Sequence, residues 1–419
     1  MVQKAYSWAE GATLPEHTKR KHKILREYFS RYLAVRCQLP QQSRFRVAII
    51  DGFAGAGRYS CGSPGSPIIF IEEIRLAVEQ FNVKRAAEGM SPIDIDCLLV
   101  LNDLDVEAVN LLKNNVEPLL ASIKAEVPRL HLHVEYRNLQ FEALYPEIKA
   151  LLERAHYRNV LYSLDQCGHS HVDTTTIRDI MGSFPSAEIF YTFMIESLLA
   201  FLAKADPQKL SSQLNYLGVS ADDLKPLEGM MSNQAWLGTA ERVVFDAFRE
   251  CAPYVSPFSI NNPEGWRYWF IHFANSYRAR QEYNNVLHRN SSMQAHFGRS
   301  GLNMLTFDPT DGGSLYLFDV SGREKAKQEL ADDIPRLVTE YGDAVGVMEF
   351  YEAIYKMTPA HMDDVHTAII ENPDMEVMTE SGGERRRATT ISPSDVLRMR
   401  RQRSFFPIFL RKEDGADKY

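Results

Sequence analysis

Residues 46–67, RVAIIDGFAGAGRYSCGSPGSP, decide how this chain is read. The apolar, β-branched start (Val47, Ala48, Ile49, Ile50) reads as a buried strand, and it breaks into Asp51-Gly52-Phe53-Ala54-Gly55-Ala56-Gly57. Glycines at 52, 55 and 57 let the backbone turn sharply and approach a ligand without a Cβ in the way. Such a loop is expected at the centre of an open α/β sheet, where an adenosine cofactor lies across the strand ends. A plain glycine-rich turn fits the same string, and its structural context decides between the two.

The flanking sequence extends the pattern. Residues 15–35 place Ile24, Leu25, Tyr28, Phe29, Tyr32 and Leu33 at helical spacing, with Lys21 and His22 near a basic start. A helix over 67–80 follows the loop. Residues 95–101 read as a second buried strand ending in Asn102-Asp103-Leu104-Asp105, and a helix over 106–120 comes next. A carboxylate at that strand end accepts hydrogen bonds from ribose hydroxyls. Asp103 is favoured for this, while Asp105 is also suited to cap the following helix. The gap from the glycine loop to this acid exceeds the about 20 residues of a minimal unit, so the first crossover is expected to be elaborated.

A third strand, 130–136, ends at Arg137-Asn138-Leu139. Asn138 is placed to meet an adenine edge or to serve a turn, with Leu139 beside it. A helix over 141–155 leads to a fourth strand, 159–164, which ends in Asp165-Gln166-Cys167-Gly168-His169-Ser170-His171. The fifth strand is 187–193. A polar, helical stretch over about 198–236 reads as an insertion and a candidate substrate lid; a helix over 237–250 and strands at 266–274 and 315–320 complete the alternation. This predicts an α/β fold with a Rossmann-like, parallel-rich sheet covering 1–325.

From 326 the character changes. Helical patterns at 326–341, 346–357 and 361–371 precede an extended pair near Glu376-Val377-Met378 and 387–391, joined by Ser381-Gly382-Gly383. Helix, helix, hairpin predicts a winged-helix-like module over 326–419. Its hairpin and an expected following helix carry Arg385, Arg386, Arg387, Arg398, Arg400, Arg401 and Arg403. In an acidic chain such a cluster is a nucleic-acid footprint or a solvated face pairing with acids on the larger domain.

With 419 residues, two domains are the expectation. A net charge of −8 argues against a protein coated in basic charge and leaves room for local basic patches. Five scattered cysteines with no C-x-x-C spacing read as reduced thiols of a cytoplasmic protein. No stretch reaches the roughly 18 apolar residues of a membrane helix, and the start MVQKAYSWAE lacks a signal core.

The spacing D-x-x-x-G-x-G resembles the first motif of class I S-adenosylmethionine (SAM) methyltransferases, whose loop skirts the cofactor's methionine moiety. KHKILREYF, IIDGFAGAGRY, GSP, LNDLD and the late TTISPSDVLRMRRQRSFF together resemble the three-Cys-motif partner (TcmP) family, bacterial proteins related to those enzymes. The likeness spans most of the chain, with its specificity in the first 100 residues. It implies SAM as cofactor and a three-cysteine-motif, radical-SAM-like protein as partner. A more distant likeness is to bacterial 23S ribosomal RNA adenine-N6 methyltransferases, which also place a K-H helix before D-x-x-A-G-x-G-x-Y. That likeness implies contacts to cofactor or substrate from Lys21, His22, Phe53, Ser66, Asp103 and Asp165.

One departure stands out. Amino-methyltransferases acting on adenine read D/N-P-P-Y/F after the fourth strand, where the polar residue accepts a hydrogen bond from the exocyclic amine and the aromatic stacks on the base. The TcmP family more often has aspartate-proline-aromatic-glycine, and this chain reads Asp165-Gln166-Cys167-Gly168. Asp165 is retained; the proline and the aromatic are not.

The expected chemistry is an in-line displacement at carbon, in which alignment alone can supply roughly 7–11 kcal/mol. Asp165 would hold or deprotonate the nucleophile, with His169 or His171 as alternative bases. Cys167 is a lesser candidate as a nucleophile, and zinc is disfavoured because a fourth ligand is missing. The reading is thus a SAM-dependent methyltransferase acting on a base nitrogen of nucleic acid beside a partner protein. The alternatives are a catalytically degenerate SAM-binding scaffold, or an enzyme whose substrate is the partner or a small molecule.

Overall fold

The computed structural model describes residues 8, 10–166, 171–202, 207–227, 233–260, 268–290, 294–297, 315–317 and 320–400. The strand opening the glycine loop, β1 (Arg44–Asp51), lies inside the sheet, and Val47 through Ile50 are fully buried. Its side chains alternate between two cores: Ala48 and Ile50 face one, Val47 and Ile49 the other. Each such buried aliphatic side chain stabilises the fold by roughly 1.5–3 kcal/mol.

Helix α1 (Glu16–Arg36) precedes β1. Then α2 (Ser66–Ala87), β2 (Asp94–Asn102), α3 (Val106–Glu126), β3 (Leu130–Arg137), α4 (Phe141–Arg154), β4 (Asn159–Leu164), α5 (Thr174–Ser183) and β5 (Ser186–Phe193) alternate as expected. The 22-residue α2 accounts for much of the long first crossover. Strands β3-β2-β1-β4-β5 run parallel in that order, so the chain reverses direction across the sheet between β1 and β4. Ligands settle in the crevice at such a switch point.

The stretch after β5 packs as core. Helices α6 (Ile195–Phe201) and α7 (Pro207–Leu214), two short 3-10 turns and α8 (Asn233–Arg249) bury Leu198, Leu210, Leu214, Leu217, Leu224 and Trp236 in the first core. None of the described residues of 198–236 lines the cavity discussed below.

Beyond α8 the strand pattern differs from expectation. A strand unforeseen in the sequence, β6 (Tyr254–Ile260), precedes β7 (Tyr268–Ala274), and β7 lies antiparallel between β5 and β6. Pro257 and two serines hide β6 from pattern reading. They are accommodated because β6 pairs with β8 (Gln294–Phe297) only at Ser259 and Ile260, leaving the outer edge at Pro257 without a ladder among the described residues. Helix α9 (Tyr277–Arg289) follows β7. A short β9 (Leu315–Leu317) pairs with β8, and Val320, expected in that strand, instead opens helix α10 (Val320–Glu340). The result is a mixed α/β fold around a nine-stranded sheet, order β3-β2-β1-β4-β5-β7-β6-β8-β9, whose first five strands are parallel, compatible with a Rossmann-like arrangement.

After α10 come β10 (Ala344–Gly346), α11 (Val347–Ile354), α12 (Met362–Glu371), β11 (Met375–Met378), β12 (Glu384–Arg385) and β13 (Val396–Met399). The four strands form an antiparallel sheet in the order β10-β13-β11-β12. Two details correct the sequence reading. Residues 387–391 hold a 3-10 turn rather than a strand, and Arg398 lies in a strand rather than a helix, because Leu397 alternates inward between exposed neighbours after Pro393 and Asp395. The polar face of α9 clasps the segment before α12: Arg280 and Asn284 donate to the Thr358 carbonyl, Asn284 also to Ala360. Among the described residues no helix is long and apolar enough to cross a membrane.

Candidate functional site

The glycine loop is held at both flanks by the neighbouring strands. Gly52 N–H donates to the Ser163 carbonyl of β4 at 2.9 Å, and Ala54 N–H to the Asn102 carbonyl of β2 at 2.8 Å. Gly55 and Gly57 adopt φ of +57° and +78°, where a Cβ is strained. A Cβ at Gly52 would sit 2.8 Å from Phe141, and one at Gly57 2.7 Å from Leu112. The chain then folds back through a small hairpin, with Tyr59 N–H on the Ser63 carbonyl and Gly65 N–H on the Gly57 carbonyl, and delivers Ser66 to the cavity.

Over the strand ends opens a cavity of about 770 Å³. Lys21, His22, Gly52, Phe53, Gly55, Gly57, Ser66, Asp103, Leu139 and Asp165, all singled out in the sequence, line it together. Asp51 and Asn138 do not. Asp51 lies fully buried beneath the loop. Asn138 donates to the Asp103 and Leu104 carbonyls at 2.8 and 2.9 Å, so its amide braces the turn rather than facing a ligand. His169, Cys167, Arg401 and Arg403 lie outside the described residues.

On the β1–β3 side, Asp103 accepts the Gly55 N–H at 2.8 Å through one oxygen and the Asp105 N–H at 2.9 Å through the other. Each oxygen keeps a lone pair for a ligand hydroxyl. Burial raises its pKa against the opposing pull of these amide bonds. Asp105 caps α3 by accepting the Glu107 N–H, the second role foreseen for it. Asn102, unassigned in the sequence reading, ties the site together. Its amide donates to the Gly52 and Leu139 carbonyls, and its oxygen accepts the Leu139 N–H.

On the β4–β7 side the centre is an ion pair. Lys21 Nζ lies 2.5 Å from Asp165 Oδ1, and among the described residues Lys21 is the only lysine or arginine lining the cavity. Burial alone would push the Asp165 carboxyl up. The Lys21 charge, with hydrogen bonds from Lys21 and Thr192, outweighs it and holds the group below the usual carboxylate range. Asp165 is therefore a fixed anion at neutral pH and a poor proton acceptor. His17, one turn before Lys21, stacks on Tyr268 at 4.5 Å, and both line the cavity. Burial, then Lys21, lowers the His17 pKa to about 4. Burial likewise takes His22 to about 4, against the pull of Asp165. Both imidazoles are neutral at pH 7. Among the described residues, Nδ1 of each is buried without a hydrogen-bond partner.

His17, Thr18, Thr192, Met194 and Tyr268 were missed by sequence reading. His17 had a signal in its i, i+4 relation to Lys21. Thr192 and Tyr268 had none, because they arrive from ends of strands distant in sequence. No protein-family model matches this chain, and no curated protein matches it significantly.

In the C-terminal part, Arg385 makes a bidentate pair with the buried Asp395 at 3.0 and 3.1 Å. Arg398 pairs with Glu376 at 2.6 Å, and Arg400 with Glu384. These partners belong to the same module, not to the larger domain. Arg386 and Arg387 are exposed and make no ion pair among the described residues.

Proposed function

We propose that this chain is a SAM-dependent methyltransferase acting on a base nitrogen of nucleic acid, with a three-cysteine-motif protein as partner. The observation that carries the reading is the shape of the cavity's β1 wall. Gly52, Gly55 and Gly57 line it where a Cβ would collide with Phe141, Trp8 or Leu112, and Asp103 stands across it with lone pairs to spare. The residues present fit an adenosine cofactor of this kind. The glycine loop and Ser66 would hold its amino-acid tail, Asp103 its ribose, and Leu139 with Gln140 its base. The antiparallel β7 departs from the 3-2-1-4-5-6 order of dinucleotide-binding sheets, which favours SAM over a dinucleotide. When bound, SAM supplies an electrophilic methyl group.

The chain's own residues orient the acceptor. Asp165, kept ionised by Lys21, accepts a hydrogen bond from the acceptor's N–H and directs its lone pair. The neutral His17 and His22 imidazoles exclude a second positive charge from this end of the cavity. Arg386 and Arg387, on and beside the β12 hairpin, are the cations open to phosphate, and the order α10-β10-α11-α12-β11-β12-β13 supports the winged-helix reading of the module.

The internal pairing of Arg385, Arg398 and Arg400 favours a second reading, in which the module docks on a protein and the chain serves as a SAM-binding scaffold. Calorimetric titration with SAM and S-adenosylhomocysteine, with Asp103→Ala as control, tests the cofactor: binding that is absent in the wild type, or equal in the variant, refutes the assignment. Tritiated methyl transfer to random-sequence DNA and RNA then separates enzyme from scaffold.

A further inference from the structure

The loss of proline from the tetrapeptide after β4 would suggest a decayed motif. The side chain that replaces it argues otherwise. Gln166 is 2% exposed, and its Oε1 accepts two backbone N–H groups, from His171 at 2.9 Å and Val172 at 3.2 Å. Its Nε2 donates to the Tyr191 hydroxyl at 2.7 Å, and that hydroxyl donates to the Val172 carbonyl at 3.0 Å. Tyr191 is fully buried on β5 opposite Leu164, the last residue of β4, so the network is anchored in the centre of the sheet. Four bonds therefore tie Gln166 and Tyr191 to the backbone at His171 and Val172.

Proline stiffens a turn by fixing φ; a glutamine so bonded stiffens it by tying both ends together. On one side of this clasp stands Asp165, and on the other His171, whose ring lies 6.4 Å from that of Phe53 and lines the same cavity.

We propose that Gln166, through Tyr191, is the positioning residue that sets Asp165 and His171 against the acceptor group, replacing the mechanical role of the missing proline. This rests on the methyltransferase reading above. Gln166 reaches the cavity wall, but its amide is already used in these bonds, so it acts by fixing two groups that line the acceptor end. Leucine at 166 keeps the volume and removes all three side-chain bonds, whereas glutamate keeps an acceptor for the two backbone N–H groups.

The test uses the full-length protein, tritiated SAM and random-sequence single- and double-stranded DNA and RNA. Three quantities are followed: SAM affinity by calorimetry, kcat and KM, and amide hydrogen exchange at His171 and Val172. In Gln166→Leu, exchange at those two amides accelerates and kcat falls about 10²-fold, the loss expected of a misplacement near 1 Å. SAM affinity stays within twofold. Gln166→Glu restores protection at both amides and recovers a tenfold share of kcat. Turnover in Gln166→Leu equal to wild type overturns the proposal while leaving the methyltransferase reading intact. So does a parallel loss of SAM affinity and kcat with no rescue by glutamate, which marks a merely structural role. A wild type that binds SAM and methylates none of these nucleic acids overturns both.

Discussion

Replacing Asp51 with asparagine should stabilise the protein at pH 8 and leave it unchanged near pH 5. The carboxyl is fully buried beneath the glycine loop, and burial raises its pKa to about 7 against weaker lowering by bonds from Ser66 and the Phe53 N–H. Among the described residues its Oδ2 has no hydrogen-bond partner. An unfolded aspartate titrates near about 3.9, so the folded state holds about three extra pKa units, or about 4 kcal/mol. The sign follows from proton counts. Between about pH 4 and pH 7 the folded state binds the proton and the unfolded state does not, so this group makes stability fall as pH rises, by about 1.4 kcal/mol per unit, with a plateau above. Asparagine removes that dependence but buries an N–H that finds no acceptor, at about 1–3 kcal/mol. The net gain at pH 8 is then about 1–3 kcal/mol, close to zero at pH 5. Urea unfolding of both proteins from pH 5 to pH 8 measures it, and a difference that does not change with pH refutes the reasoning.

Other consequences can be checked the same way. Lys21→Met strands the Asp165 carboxylate; since Asp165 is 29% exposed, the cost is about 2 kcal/mol rather than the 3–5 of a fully buried pair. Because the Asp165 pKa is depressed in the fold, that gap should close as pH drops through the carboxylate range, read by denaturant midpoints. Gly55→Ala puts a Cβ into the Trp8 ring at a φ of +57°, costing about 1–2 kcal/mol in backbone strain and weakening SAM binding more than stability, as calorimetry and thermal melts would separate. Arg280 is fully buried with Nε and Nη1 unpartnered among the described residues, and burial lowers its pKa to about 9, so Arg280→Met should be neutral or stabilising by about 1–4 kcal/mol. If nucleic acid is bound through Arg386 and Arg387 alone, log K should fall against log salt with a slope near about −2; a slope near −4 or steeper would mean the paired arginines also engage phosphate.

Of the five parallel strands, the four inner ones were legible from largely apolar runs between turn signals, as elements buried on both faces require, and the edge strand β3 from its alternation of Leu130, Leu132, Val134 and Tyr136 with polar residues. The elements that escaped are those whose buried faces are polar. Helix α9 has a narrow apolar stripe (Ala279, Tyr283, Val286, Leu287) but also buries Arg280, Gln281, Glu282, Asn284 and Asn285, which mask it in the sequence; their partners are backbone groups and side chains that only the fold brings near. β13 was read as helix because four residues, Val396–Met399, are too few to separate the two periods.

The site divides along the same physical line. Groups whose role is set by their own backbone, such as Gly55, Gly57 and the α3 cap Asp105, could be placed from neighbouring residues alone. Groups whose role is set by a distant partner could not. Asp165 reads as a general base until Lys21, 144 positions away, fixes its charge. Gln166 reads as a motif lost until Tyr191, Val172 and His171 supply its bonds. A motif records one residue solution to a mechanical requirement, which the proposal above takes to be a fixed placement of Asp165 and His171. A buried amide making three bonds meets that requirement, so a departure from the motif's letters is evidence of lost function only where that placement is lost with them.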